Sequence, residues 1–302
     1  NYVAHLEQRV KGILTMKYEA GHFRRPRVDE DMLATSLHSI ESQVLRTRLL
    51  RETVTVLRNQ NEILPITILE NKSFICVVTG DSTQRADIFH RSVRKYVPSD
   101  RVIVGEGIQD VDLSKNDVIL IALFPGTSKE ALQNLMGILQ ELAAHQEVIV
   151  ADFGCTIFEP YAIRFPAVLT GYADDKDIVG MVPQVIFGGL SGNGIVPRTY
   201  SKIKPGTAIT TRDLKRLAYS FPEDAGIDGQ TLQRISQIAN EAITSGSTPG
   251  CYVLVAKDGK VIYDHALGHL SYEQKTPVTD ETIYDLASLT KVSATLQAVM
   301  FM

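Results

Sequence analysis

The chain contains no tryptophan and only three cysteines in 302 residues. Without tryptophan it lacks the side chain best suited to stacking on a sugar ring, which weakens any sugar-binding platform within these residues. Cys76, Cys155 and Cys251 are odd in number, far apart, and set in or beside apolar runs. They read as buried free thiols, not as a disulfide framework. No CxxC or HExxH spacing occurs, so no metal site is expected. Neither G-x-G-x-x-G nor a Walker sequence is present, so no cofactor is expected. No apolar run is long enough to span a bilayer, so no membrane-spanning segment is expected. The sequence opens at Asn1 without a charged-then-apolar leader, and a removed signal peptide or upstream domain would be compatible with that start. Net charge is −4, which gives no electrostatic reason to expect nucleic acid as a partner. Internal repeats and low-complexity tracts are also missing.

What remains is ordinary globular sequence, 44% hydrophobic and 22% charged, with room for about two domains. Residues 1–68 read as helical. Tyr2, Leu6, Val10, Ile13, Leu14 and Met16 recur at helical spacing, and Gly21 and Pro26 interrupt. A second pattern runs through Leu33, Leu37, Ile40, Val44, Leu45 and Leu49, continues into residues 52–59, and is closed by Pro65.

From residue 72 to 200 strands and helices alternate. Strands are expected at 74–79, a continuous apolar run of the kind buried on both faces, and at 101–104, 117–124, 147–153 and 167–169. Helices are expected at 84–96 and after Ser128, which can cap an apolar face of Leu132, Leu135, Met136, Leu139 and Leu142. The alternation implies an α/β fold with a doubly wound, mainly parallel sheet.

Residues 201–226 read as a linker, and a partial α+β unit follows at 227–302. Asp228 can cap a helix carrying Leu232, Ile235, Ile238 and Ile243, ended by Gly246. A hairpin at 252–266 turns on Asp258-Gly259. Then comes Ser288-Leu289-Thr290-Lys291, an S-x-x-K. Serine is a weak nucleophile that needs a base or a positive charge beside it. At the start of a helix a lysine three residues later shares its face and can reach the hydroxyl. An isolated S-x-x-K is a weak signal, since a capping serine and a solvated lysine give the same letters.

In context, residues 222–302 resemble the start of the serine β-lactamase and penicillin-binding-protein family, on its class C and esterase side. Pro249-Gly250, the Asp-Gly hairpin, the stretch from Tyr272 to Pro277 and the stretch from Asp285 to Lys291 carry the likeness in order. It implies Ser288 as acyl-enzyme nucleophile and Lys291 as its proton-handling partner. That family also needs a Y-x-N or S-x-N motif and a K-T-G-like or H-x-G strand later in the domain. Neither follows Lys291, so this chain alone is expected to have negligible acyl-transfer activity. Lys257-Asp258-Gly259 matches K-x-G only superficially, because it lies in the hairpin turn.

Residues 1–200 resemble the C-terminal domain of family 3 glycoside hydrolases. The segments 9–17, 50–59 and 63–66 look like its entry, and Phe187 to Thr199 is similar to its closing signature. The resemblance implies a carbohydrate substrate bound through a (β/α)₈ barrel upstream, which carries the nucleophilic Asp and lies outside these residues. Some branches take the acid/base Glu from this domain. Glu106 and Glu159 are the nearest candidates, neither in a good motif. The lack of a clear Glu, with the β-lactamase-like unit, favours the β-N-acetylglucosaminidase branch. The expected parent is a bacterial, periplasmic or secreted hydrolase of β-linked sugars. A non-catalytic support or interaction domain with a degenerate β-lactamase-like scaffold is the alternative. Gly189-Leu190-Ser191-Gly192-Asn193 nearly makes the hydrolase elbow G-x-S-x-G, and Thr79-Gly80-Asp81 follows a strand as a nucleotide loop would. Glycines shaping a loop account for the first, and no G-x-G-x-x-G or Walker sequence follows the second.

Overall fold

A computed structural model of the chain describes residues 2–24, 29–80, 83–104, 112–273 and 275–302. Residues 1–46 and 47–302 form separate compact units. The first consists of α1 (Tyr2–Glu19), α2 (Glu30–Leu37) and the beginning of α3 (Ile40–Thr53). Leu6, Val10, Leu14 and Tyr18 recur along one side of α1, yet all four are exposed. This helix carries an apolar stripe without a core of its own.

In the second unit the chain passes from α3 directly into β1 (Thr55–Asn59). The expectation of helix across residues 1–68 is corrected here, since α-helix ends at Thr53. Val54, Val56 and Leu57 are buried, and Thr55 to Asn59 pair antiparallel with Thr170 to Ala167. Pairing with a partner more than a hundred residues away overrides local helix preference.

Beyond β1 the alternation is as the sequence implies. In chain order come β2 (Phe74–Thr79), α4 (Thr83–Arg94), β3 (Asp100–Val104), β4 (Val118–Leu123) and α5 (Lys129–Leu142). Then follow β5 (Glu147–Asp152), β6 (Ala167–Thr170) and α6 (Lys176–Ile186). The strand order is β1-β6-β5-β4-β2-β3, parallel except for β1. α4 and α6 cover one face, with Phe89, Val93, Val179 and Val182 packed on Cys76, Leu120 and Ala151. α5 covers the other, with Leu132, Leu135 and Leu139 against Ile121 and Val150. Ser128 caps α5 by accepting from the Ala131 amide at 3.1 Å. The α/β, doubly wound, mainly parallel arrangement is therefore present, and every residue of β2 and β4 is buried.

A smaller sheet follows, ordered β7-β9-β8, from β7 (Ala218–Tyr219), β8 (Gly250–Lys257) and β9 (Lys260–Gly268). α7 (Gly229–Thr244) precedes the hairpin, and the Asp228 side chain caps it through the Thr231 amide at 2.8 Å. Asp258 and Gly259 both take positive φ, as the tight turn between β8 and β9 requires. The chain ends in α8 (Leu296–Phe301).

Candidate functional site

Ser288 lies in a single 3₁₀ turn, Ala287–Leu289. Asp285 organises the entry by accepting the Ala287 amide at 2.8 Å, and Ala287 takes a left-handed φ of 42°. A π-type turn, Lys291–Thr295, continues into α8. Within this geometry the Lys291 ammonium Nζ donates to Ser288 Oγ at 3.0 Å. The sequence spacing of three thus yields a direct contact. A cation there lowers the cost of forming an alkoxide, and a neutral amine there could take the hydroxyl proton.

The surroundings leave this turn uncovered. Residues 283–302 are exposed throughout. Leu289, Val292, Leu296 and Val299 stand open to water. β9 sets Val261, Ile262 and Tyr263 into the interior, and α7 packs on that strand. The pair is therefore assembled but unshielded, in high dielectric, where its mutual influence is small.

The glycosidase candidates fare differently. Glu106 lies outside the described residues. Both carboxylate oxygens of Glu159 are held by the Arg198 guanidinium, one at 3.2 Å and one closer. A carboxylate clamped this way is a structural partner and is poorly placed to deliver a proton. The near-elbow at 189–193 is loop shaping. The Gly192 amide donates to Thr211 Oγ1 at 2.9 Å, and a Cβ at Gly194 would lie 2.1 Å from Thr55 Oγ1. At Gly80 φ is +101° and a Cβ would meet Phe124 Cβ at 2.9 Å, so that glycine serves strand packing. Asp81 lies outside the described residues. Cys76 and Cys155 are buried and Cys251 half-buried, and all three are free.

One polar cluster escaped the sequence reading. Asp152 ends β5 at the carboxyl edge of the parallel strands, the edge where open α/β sheets hold ligands. Its Oδ1 accepts the Cys155 amide at 2.8 Å, and its Oδ2 accepts the Tyr200 hydroxyl at 2.7 Å and the Thr170 hydroxyl at 3.4 Å. Burial pushes the Asp152 carboxyl up to about 6, against the pull of these donors. Burial and the neighbouring carboxylate drive the Tyr200 phenol far above its ordinary range. With its acceptor sites filled from inside, Asp152 locks the segment after the Phe187–Thr199 signature onto the sheet. An aspartate ending an apolar strand was the only available signal. Among the described residues no group of three or more His, Cys, Asp or Glu is gathered as around a metal ion. No helix among them is long and apolar enough to cross a membrane.

The family model named beta-lactamase matches residues 230–301. No curated protein matches the chain. Among solved structures, a β-glucosidase from Erythrobacter marinus is similar at 14% identity over 61% of this chain and 33% of that one, with a TM-score of 0.42. A glycoside hydrolase family 3 β-N-acetylglucosaminidase from Paenibacillus is similar at 16% identity over 67% and 40%, also with a TM-score of 0.42. A β-glucosidase from Listeria innocua gives 15% identity over 60% and 30%, with a TM-score of 0.44. The chain spans between 30% and 40% of the length of these three structures.

Proposed function

We propose that Ser288 is the nucleophile of a serine-acylating unit and Lys291 its proton-handling partner. We further propose that residues 1–200 are the supporting α/β domain of a glycoside hydrolase. The observation that carries the first part is the 3.0 Å contact from Lys291 Nζ to Ser288 Oγ, inside the stretch that the beta-lactamase family model matches. The second part is supported by the entry and closing motifs, by the doubly wound sheet between them, and by the open apolar stripe of α1. That stripe suits a domain whose helical entry packs on a neighbour. On this reading the sugar chemistry resides on a separate barrel, the substrate is a β-linked sugar, with β-N-acetylhexosaminides favoured, and the whole protein is bacterial and periplasmic or secreted.

Covalent labelling tests the serine assignment. In the whole protein a fluorophosphonate is expected to modify Ser288, with Ser288→Ala abolishing the adduct and Lys291→Ala slowing it at least about 100-fold. An adduct that persists in Ser288→Ala refutes the assignment. The open surroundings of Ser288 favour one rival, a degenerate scaffold that serves only for interaction. Complete resistance of Ser288 to the reagent in the whole protein would select that rival.

A further inference from the structure

We propose that residues 214–226 form a rigid splint that fixes the hairpin unit to the α/β sandwich, with Asp224 as its electrostatic keystone, so that the two move and unfold as one body. The splint holds whichever reaction either part performs. The segment ends the 201–226 stretch, whose Pro205, Gly206, Pro222 and Gly226 suit a flexible connection, yet it is bonded to both sides along its length.

On the sandwich side, Arg216 inserts its guanidinium among three main-chain carbonyls. It donates to Ile66 O at 2.6 Å, Phe187 O at 2.7 Å and Thr67 O at 2.8 Å. Tyr96 Oη donates to Leu217 O at 2.9 Å. The Gln184 side chain treats Tyr219 as a strand neighbour would, accepting its amide at 2.8 Å and donating to its carbonyl at 3.3 Å. On the hairpin side, β7 pairs in parallel with β9, Ala218 opposite Lys260 and Tyr219 opposite Val261. The Ala218 amide donates to Gly259 O and the Ser220 amide to Val261 O, both at 2.9 Å. The splint is thus a strand of the small sheet whose other partner is a helix of the large domain.

Asp224 closes the arrangement. Its side chain is fully buried. Oδ2 accepts from Arg51 at 2.6 Å, from Lys260 at 2.9 Å and from Ser220 at 2.8 Å. Arg51 belongs to α3 and Lys260 opens β9, so one carboxylate oxygen joins cations of the two parts. Arg48 Nε stands 3.7 Å from Oδ1, which accepts no hydrogen bond. Breaking a buried pair by removing one partner strands the remaining charges, which is why this residue is the point to test.

Three measurements on the intact chain decide the matter. In the wild type, hydrogen exchange is expected to protect the amides of Ala218, Tyr219 and Ser220 as strongly as those of Val261 and Ile262 in β9. Calorimetry of residues 47–302 within the intact chain is expected to give one transition for sandwich and hairpin together. Asp224→Asn, close to isosteric, is expected to raise tryptic cleavage after Lys215 and Arg216 about tenfold or more and to split that transition in two. Exchange at Ala218–Ser220 as fast as in an open loop overturns the splint whether or not the variant folds. So does an Asp224→Asn protein with unchanged cleavage and a single transition.

Discussion

The Tyr200 hydroxyl donates to Asp152 Oδ2 at 2.7 Å, joining positions 48 residues apart in the interior. Burial of the Asp152 carboxyl, opposed by this bond, ties stability to pH. The Asp152 carboxyl sits near 6 in the folded chain, chiefly because it is buried, against about 4 in an unfolded chain. Between those values the folded state holds more protons than the unfolded state. This group's contribution is therefore fully present below about pH 4 and falls as pH rises to about 6, by roughly 2–3 kcal/mol at most. Asp152→Asn keeps an acceptor for the Cys155 amide and cannot ionise. Urea unfolding at pH 4.5, 5.5 and 6.5 should show wild type losing stability relative to Asp152→Asn across that window, and a constant difference would contradict the mechanism.

Asp224 has the opposite linkage. Burial works to raise its carboxyl, but hydrogen bonds from Arg51, Lys260 and Ser220 outweigh burial and hold it well below the usual carboxylate range. Its contribution is present above about pH 4 and is lost as pH falls through the depressed folded value. Acid unfolding monitored from pH 4 to pH 2 should therefore be steeper for wild type than for Asp224→Asn.

Thiol reactivity should follow burial. Burial pushes the Cys76 thiol up to about 12, and Cys155 is raised by burial and then by the charge of Asp152. Cys251 is half-buried near the start of β8. An aromatic disulfide reagent should therefore titrate one thiol within minutes in the native chain and three in denaturant. Cys251→Ser should eliminate the fast thiol, and a fast Cys76 would mean that β2 is not the interior strand described.

These residues also show where sequence is informative. The strands at 74–79 and 118–123 are continuous apolar runs, and Ser128 and Asp228 cap helices by contacts three residues away, so both are legible locally. The Ser288–Lys291 contact was legible for the same reason, a separation of three. β1 was not, because Thr55–Asn59 continues the letters of α3 without a breaker and is fixed only by pairing with β6. Asp224 was less legible still, since its partner Arg51 is 173 residues away and Lys260 is 36 away. The exposure of residues 283–302 also has no local signature, because what covers an apolar helix face is a property of the other elements.

Two glycines offer a paired test of packing against propensity. At Gly194 a Cβ would lie 2.1 Å from Thr55 Oγ1, 2.7 Å from Val54 O and 2.8 Å from Thr53 O. Two of these atoms are backbone and cannot rotate away. Gly194→Ala should destabilise by about 2–4 kcal/mol, as forced backbone shifts do. At Gly137, inside α5, a Cβ would meet nothing within 4 Å. Gly137→Ala should stabilise by about 0.5–1 kcal/mol, the usual gain of alanine over glycine in a helix. Chemical denaturation of both variants checks the signs, and equal effects would mean that the Phe187–Thr199 loop does not rest on β1.

The Ser288–Lys291 pair is also expected to be catalytically idle in the 302-residue chain by itself. Acyl transfer needs more than a nucleophile beside a cation. The oxyanion must be met by placed donors, and the leaving group by a second proton source, in a site that excludes water. Ser288 instead sits on an exposed turn, and the 3.0 Å contact to Lys291 is open to solvent competition. Nitrocefin hydrolysis by this chain should equal that of Ser288→Ala and of buffer. A pre-steady-state burst stoichiometric with protein and absent from Ser288→Ala would show that the open turn closes into a working site on binding, and the account of an assembled but unshielded pair would then be wrong.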